Sequence, residues 1–183
     1  MKTKKLIITI LSIAVIALIF ISLILAMNVN TKTTGGFPDD IEGESLTCES
    51  HSAKYPFFAN NNGKSRYLKI TANFYDKKLN AISLAYTLYY DTEDQIKASE
   101  AQNHASMNIS FGENGLGSDA FDINYSMMSD SLKTVLYINA NDYNTTSARY
   151  FMIDVKETKD LPDTIREFNK IYNSQGFSCS TTK

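Results

Sequence analysis

Leu6 through Met27 is a predominantly apolar run without a single charged side chain. As a helix, its about 22 residues at roughly 1.5 Å each span the roughly 30 Å hydrocarbon core of a bilayer. Leu6, Ile13, Phe20 and Met27 mark this predicted anchor, and the hydroxyls of Thr9, Ser12 and Ser22 bond within the helix. Lys2, Lys4 and Lys5 precede the run and the next cation is Lys32. The stub 1–5 is therefore expected to stay cytoplasmic and the rest to be exported. The rival reading is a cleaved signal peptide, whose apolar core is usually about 7–15 residues and ends in a small-x-small site. The best such site, after Ala26, has Ile24 where a small residue is wanted.

Residues 28–44 lack any apolar period. They hold Thr33-Thr34-Gly35-Gly36, Pro38 and the acids Asp39, Asp40, Glu42 and Glu44, and are predicted to be a flexible acidic tether with a mean reach of roughly 23 Å. Regular patterning begins beyond it, in 45–183. A short strand is expected around Leu46–Ser50. Leu68, Ile70, Ala72 and Phe74 then alternate with polar residues, Asp76-Lys77-Lys78 turns, and Ile82, Leu84, Tyr86, Leu88 and Tyr90 alternate again. That is an antiparallel hairpin with one buried face. Asp91 or Thr92 offers an N-cap, with Glu93 and Asp94 favoured by the helix dipole. The helix is predicted to run to about Met107, with Ala98, Ala101, Ala105 and Ile109 as one stripe and Ile96 with Met107 as another. Gly112, Gly115 and Gly117 break the chain.

A second hairpin follows: Phe121, Ile123, Tyr125 and Met127, a Ser129-Asp130-Ser131 turn, then Leu132, Thr134, Leu136, Ile138 and Ala140. Asn141–Val155 is ambiguous between loop, short helix and edge strand. Asp160-Leu161-Pro162-Asp163 is predicted to start a helix, with Ile165, Phe168 and Ile171 buried and Gly176 ending it. The expected fold is α+β: one N-terminal transmembrane helix, then a small domain. That domain has an antiparallel sheet of two hairpins plus a short first strand, with two helices packed on one face.

Charge narrows the partners. All 20 acids lie beyond the predicted anchor, against the 18 cations less Lys2, Lys4 and Lys5, so the exported part carries about −5. Nucleic acid, which needs a concentrated basic face, is excluded as a partner. Cys48 and Cys179 stand at opposite ends of the exported part; outside the cytosol an even count permits one bridge, closing a loop of about 130 residues. Two unconnected buried thiols are the alternative. No metal or cofactor signature is present, since there is neither C-x-x-C nor H-x-x-x-H, and the Gly112–Gly117 glycines lack the lysine of a phosphate loop.

Leu46-Thr47-Cys48, Asn73-Phe74-Tyr75-Asp76-Lys77 and Gly176-Phe177-Ser178-Cys179 carry a resemblance to the YehR-like family of small bacterial envelope lipoproteins. They also resemble uncharacterised membrane-anchored proteins of Gram-positive bacteria. The resemblance implies a fold and a location in the envelope, and no activity. Members of the lipoprotein kind carry a lipid-modified cysteine after the signal, and this chain has none there.

Chemistry points the same way. No G-x-S-x-G occurs, and His51 and His104 have no nominated partner. Among 11 tyrosines, Tyr67, Tyr89 and Tyr137 are expected on the outer sheet face, where tyrosine anchors a partner at low entropic cost. Tyrosine is also simply a favoured strand residue. The expectation is an envelope-anchored, non-catalytic binding domain contacting an extracytoplasmic protein, cell-wall material or a small ligand. The alternative is a hydrolase or metal-dependent enzyme with its site near the Gly112–Gly117 loop.

Overall fold

The computed structural model describes residues 43–58, 62–117 and 121–182. The predicted anchor with Leu6, Ile13, Phe20 and Met27, the lysines Lys2, Lys4 and Lys5, and the tether up to residue 42 lie outside the described residues. Among those described, no helix is long and apolar enough to cross a membrane.

Six antiparallel strands form one sheet: β1 (Glu44–Ser50), β2 (Ser65–Tyr75), β3 (Lys78–Tyr89), β4 (Asp122–Met127), β5 (Ser131–Asn139) and β6 (Ser178–Thr182). Their spatial order is β4-β5-β3-β2-β1-β6. Both predicted hairpins are present and joined through β3 and β5, with Ile82 opposite Ile138 and Leu84 opposite Leu136. The inward positions Leu68, Ile70, Ala72, Phe74, Ile82, Leu84, Tyr86 and Leu88 are all buried, as their alternation requires. The sixth strand is an addition to the expected sheet. Ser178–Thr182 has no apolar alternation, and it joins the sheet because Cys179 sits directly opposite Cys48.

The β2–β3 turn consists of Asp76 and Lys77, both at positive φ, 48° and 67°. Two consecutive left-handed residues match the right-handed twist of the flanking strands, and glycine is the usual occupant of the second position. Lysine adopts that conformation under strain. Lys77→Gly is therefore expected to raise stability by about 0.5–1 kcal/mol, read as a higher urea midpoint at unchanged slope; an unchanged or lower midpoint refutes it.

Among the described residues three α-helices accompany the sheet: α1 (Glu93–Glu113), α2 (Thr145–Ala148) and α3 (Ile165–Ser174). Thr92 caps α1, its hydroxyl accepting from the Gln95 N–H, with Glu93 and Asp94 in the first turn. The helix runs two turns nearly past Met107, and its buried face is Ile96, Ser99, Asn103, Met107 and Phe111. The alanine stripe expected to pack inward faces solvent instead, and Ile109 is 62% exposed. Ile96, Met107 and Phe111 remove far more apolar area from water than three alanines do, and that difference sets the rotation. The polar members come along with partners: Ser99 shares a hydrogen bond with the Tyr90 hydroxyl, and Asn103 Nδ2 donates to Ser99 Oγ at 3.5 Å.

Pro162 lies before α3 rather than in its first turn. Thr164 is the cap, and the Glu167 carboxylate accepts from its N–H at 3.2 Å and its hydroxyl at 2.8 Å. Phe168 and Tyr172 are buried on α3, while Ile165 and Ile171 flank them half-buried. Gly176, at φ 82°, ends the helix as expected.

The ambiguous segment after β5 is a core-lining knot. It comprises a 3-10 turn at Ala140–Asp142, α2 capped by Asn144, and a second 3-10 turn at Arg149–Phe151. Tyr150, Phe151 and Ile153 are fully buried. Two buried tyrosines fasten this segment: Tyr55 Oη donates to the Tyr150 carbonyl at 2.7 Å, and Tyr172 Oη to the Phe151 carbonyl at 2.8 Å. These bonds satisfy backbone groups that neither helix nor sheet would satisfy there.

Candidate binding surfaces

The helices pack on one face of the sheet, α1 against β4 and β5 and α3 against β1, β2 and β6. Among the described residues no helix covers the other face. Alternation places Tyr67, Lys69 and Thr71 of β2, Ser83, Ala85, Thr87 and Tyr89 of β3, and Lys133, Val135 and Tyr137 of β5 there. This open face is polar, with a floor of small side chains between β2 and β5.

Of the three tyrosines expected outward, the fold brings two together. Tyr67 is opposite Thr87 and Tyr89 opposite Ser65, so both stand at one end of the sheet. The His51 ring lies 4.9 Å from the Tyr67 ring. Desolvation against the sheet, then the hydrogen bond and charge of Glu49, push the Tyr67 phenol well up, and Tyr89 adds to the effect. Glu49 also faces Lys69 at 4.0 Å. Tyr137 pairs with Ser83 and Asp122 toward the opposite end, where its hydroxyl donates to Asn139 Oδ1 at 3.0 Å. Tyr67, Tyr89 and His51 thus form one aromatic group, and Tyr137 stands apart.

Cys48 and Cys179 are bonded to each other, so the alternative of two separate thiols is excluded. The glycine region proposed for the enzymatic alternative divides: Gly112 lies inside α1, Gly115 is left-handed at φ 69°, and residues 118–120 lie outside the described residues. His104 is exposed on α1, its Nδ1 3.2 Å from Asn108 Nδ2 and its ring 5.8 Å from Tyr125. Among the described residues no group of three or more His, Cys, Asp or Glu side chains converges on a metal site.

Among the described residues, two clefts were not foreseen from the sequence. One, of about 490 Å³, is walled by Pro56, Phe57, Arg149, Met152, Ile153 and Asp154. The other, of about 300 Å³, lies beside Asn62, Tyr90, Gln95, Ala98 and the Lys64–Asp91 ion pair. Neither includes His104 or the glycine region. Their walls are loops and helix ends, which carry no period to read; the aromatic clusters Pro56-Phe57-Phe58 and Arg149-Tyr150-Phe151-Met152 were the available signal.

No protein-family model and no curated protein matches this chain. In structure it is similar to a protein from Streptococcus pneumoniae TIGR4, with a TM-score of 0.41 at 8% identity, covering 79% of this chain and 90% of that one. It is also similar to the E. coli YehR protein, with a TM-score of 0.47 at 12% identity, covering 78% and 93%. Likenesses this distant carry no function to any residue here.

Proposed function

We propose that this chain is a single-pass, envelope-anchored protein whose exported domain binds an extracytoplasmic partner, either a protein or cell-wall material, without catalysing a reaction. The observation that carries the export is the Cys48–Cys179 bond, since such a bond persists in an oxidising compartment and is rare in the cytosol. It agrees with the side on which Lys2, Lys4 and Lys5 place the domain. Binding is supported by the uncovered sheet face, where Tyr67, Tyr89 and His51 offer rigid aromatic contacts beside Lys69 and Glu49.

Glu44 opens β1 and registers with Phe74 next to the Asp76-Lys77 turn. Tyr67 and Tyr89 occupy the other end of these strands, away from Glu44. A photo-crosslinking amino acid at Tyr67 or Tyr89 in intact cells is expected to trap a discrete adduct. The same group at Ile109, exposed on α1, is not. Equal adducts from all three sites, or none from the tyrosines, defeat the binding surface.

A further inference from the structure

We infer that the cleft between the 55–58 loop and the 149–154 segment is a preformed site for a small amphipathic carboxylate. Its apolar body would lie against Phe57, Met152 and Ile153, with the anionic group on Arg149.

Both walls are fixed before any ligand arrives. Ser106 Oγ donates to the Phe57 carbonyl at 2.9 Å, and Gln175 Nε2 donates to the Met152 carbonyl at 2.9 Å. The Phe57 ring is stacked on Tyr150, centroids 4.3 Å apart, and the Tyr150 hydroxyl is held by Ser110 Oγ at 2.9 Å. A site held in this way loses little freedom on binding.

Met152 is at φ 61°, the only described residue outside the β2–β3 turn, other than glycine, in that region. Its N–H bonds to the Arg149 carbonyl and the next N–H, of Ile153, to the Ala148 carbonyl. This pair of bonds closes a helix end where glycine is the unstrained residue. The backbone there needs no side chain, yet a methionine occupies the position and lines the cleft. Its flexible thioether adapts to apolar bodies of varied shape.

Arg149 sets the polarity. Its Nε forms an ion pair with Asp154 Oδ1 at 3.6 Å, too long for a hydrogen bond, so no N–H of the planar fork is shown committed to a bidentate bond with that carboxylate. A fork of that geometry matches a carboxylate through two parallel bonds. Asp154, 87% exposed at the rim, disfavours a second negative charge, which selects a monoanion over a phosphate or a polyanion. The inference holds whether or not the domain is exported.

The full chain, purified in a non-ionic detergent and carrying 13C-methyl methionine, gives a direct readout. The Met152 methyl signal is assigned by its loss in Met152→Leu. N-acetylleucine should move this signal saturably, leaving those of the exposed Met127 and Met128 in place. N-acetylleucinamide, identical but uncharged, should bind at least tenfold more weakly. Arg149→Gln should bring the acid down to the level of the amide, with the buried Met107 signal reporting that the fold is intact. Arg149→Lys, which keeps the charge and loses the fork, should fall between and decides the matter if the glutamine variant does not fold. A Met152 signal that stays put at millimolar N-acetylleucine overturns the site. So does equal binding of acid and amide, or an arginine variant that binds like the wild type.

Discussion

Replacing Cys48 and Cys179 together by alanine is expected to lower the stability of the domain by about 3–5 kcal/mol. The two residues are 131 positions apart, so their bond shortens the unfolded ensemble more than a bond across a local turn would. The chain-entropy relation gives on the order of 5 kcal/mol for such a loop. Against a total of roughly 5–15 kcal/mol for a domain, that is a third or more of what holds it together. The midpoint of thermal unfolding should fall by about 10–15 °C. The loss should begin locally. β6 is a polar edge strand whose hold on the sheet is its pairing with β1, so amide exchange at Ser178–Thr182 should accelerate before that of β2 and β3. Urea titrations of the wild type with and without reductant, beside the double variant, measure the effect. A change under about 1 kcal/mol would mean that the bond holds nothing the strands do not hold already.

Alkaline pH should unfold the domain in a steep transition. Tyr55 and Tyr172 are fully buried, and desolvation, reinforced by neighbouring tyrosines, raises both phenols well above their ordinary value of 10.0. Burial pushes Tyr125 up to about 12 and Tyr143 higher still. The phenol ionises by losing a proton, so the unfolded chain deprotonates first, above pH 10. There it binds fewer protons than the folded state, and stability falls as pH rises. Below pH 10 these groups are neutral in both states and contribute no slope. Each strongly shifted tyrosine adds about 1.4 kcal/mol of loss per pH unit above 10. Tyr55 and Tyr172 together then remove about 3 kcal/mol by pH 11. Urea midpoints from pH 8 to 11.5 should be flat to about 9.5 and then drop, with tyrosinate absorbance rising in step with unfolding. Free titration of all 11 tyrosines near pH 10 in a still-folded protein would contradict the buried aromatic core.

How far the sequence was legible follows from where its periods are clean. Leu68 to Phe74 and Ile82 to Leu88 each alternate cleanly, and both strands, their turn and their buried face came from that pattern, whereas the register shift at Asn73/Phe74 left no trace in it. The Thr92 cap was equally readable, because its chemistry is local. The rotation of α1 was not: two of its buried positions, Ser99 and Asn103, are polar, and the partner that admits Ser99 is Tyr90, just beyond the end of β3. The knot around Tyr150 was illegible for a related reason, since the hydroxyls that order it come from Tyr55 and Tyr172, far away in the chain. β6 has no period at all, and only Cys179 hinted at it. For the surface, outward positions told which tyrosines face solvent; the grouping of Tyr67 with Tyr89 and His51, and the separation of Tyr137, depended on strand order. The Phe57–Met152 cleft lies between loops, where pattern gives no direction.

The central claim is that the domain carrying the Cys48–Cys179 bond lives outside the cell membrane, tied to it by residues 6–27. Protease added to sealed cells, followed by detection of tags at either end of the chain, tests it most directly. The account predicts loss of the C-terminal tag together with a small protected fragment that retains the N-terminus in the membrane fraction. A C-terminal tag left intact until the cells are lysed would contradict it, as would a chain recovered free of the membrane and starting near Met27.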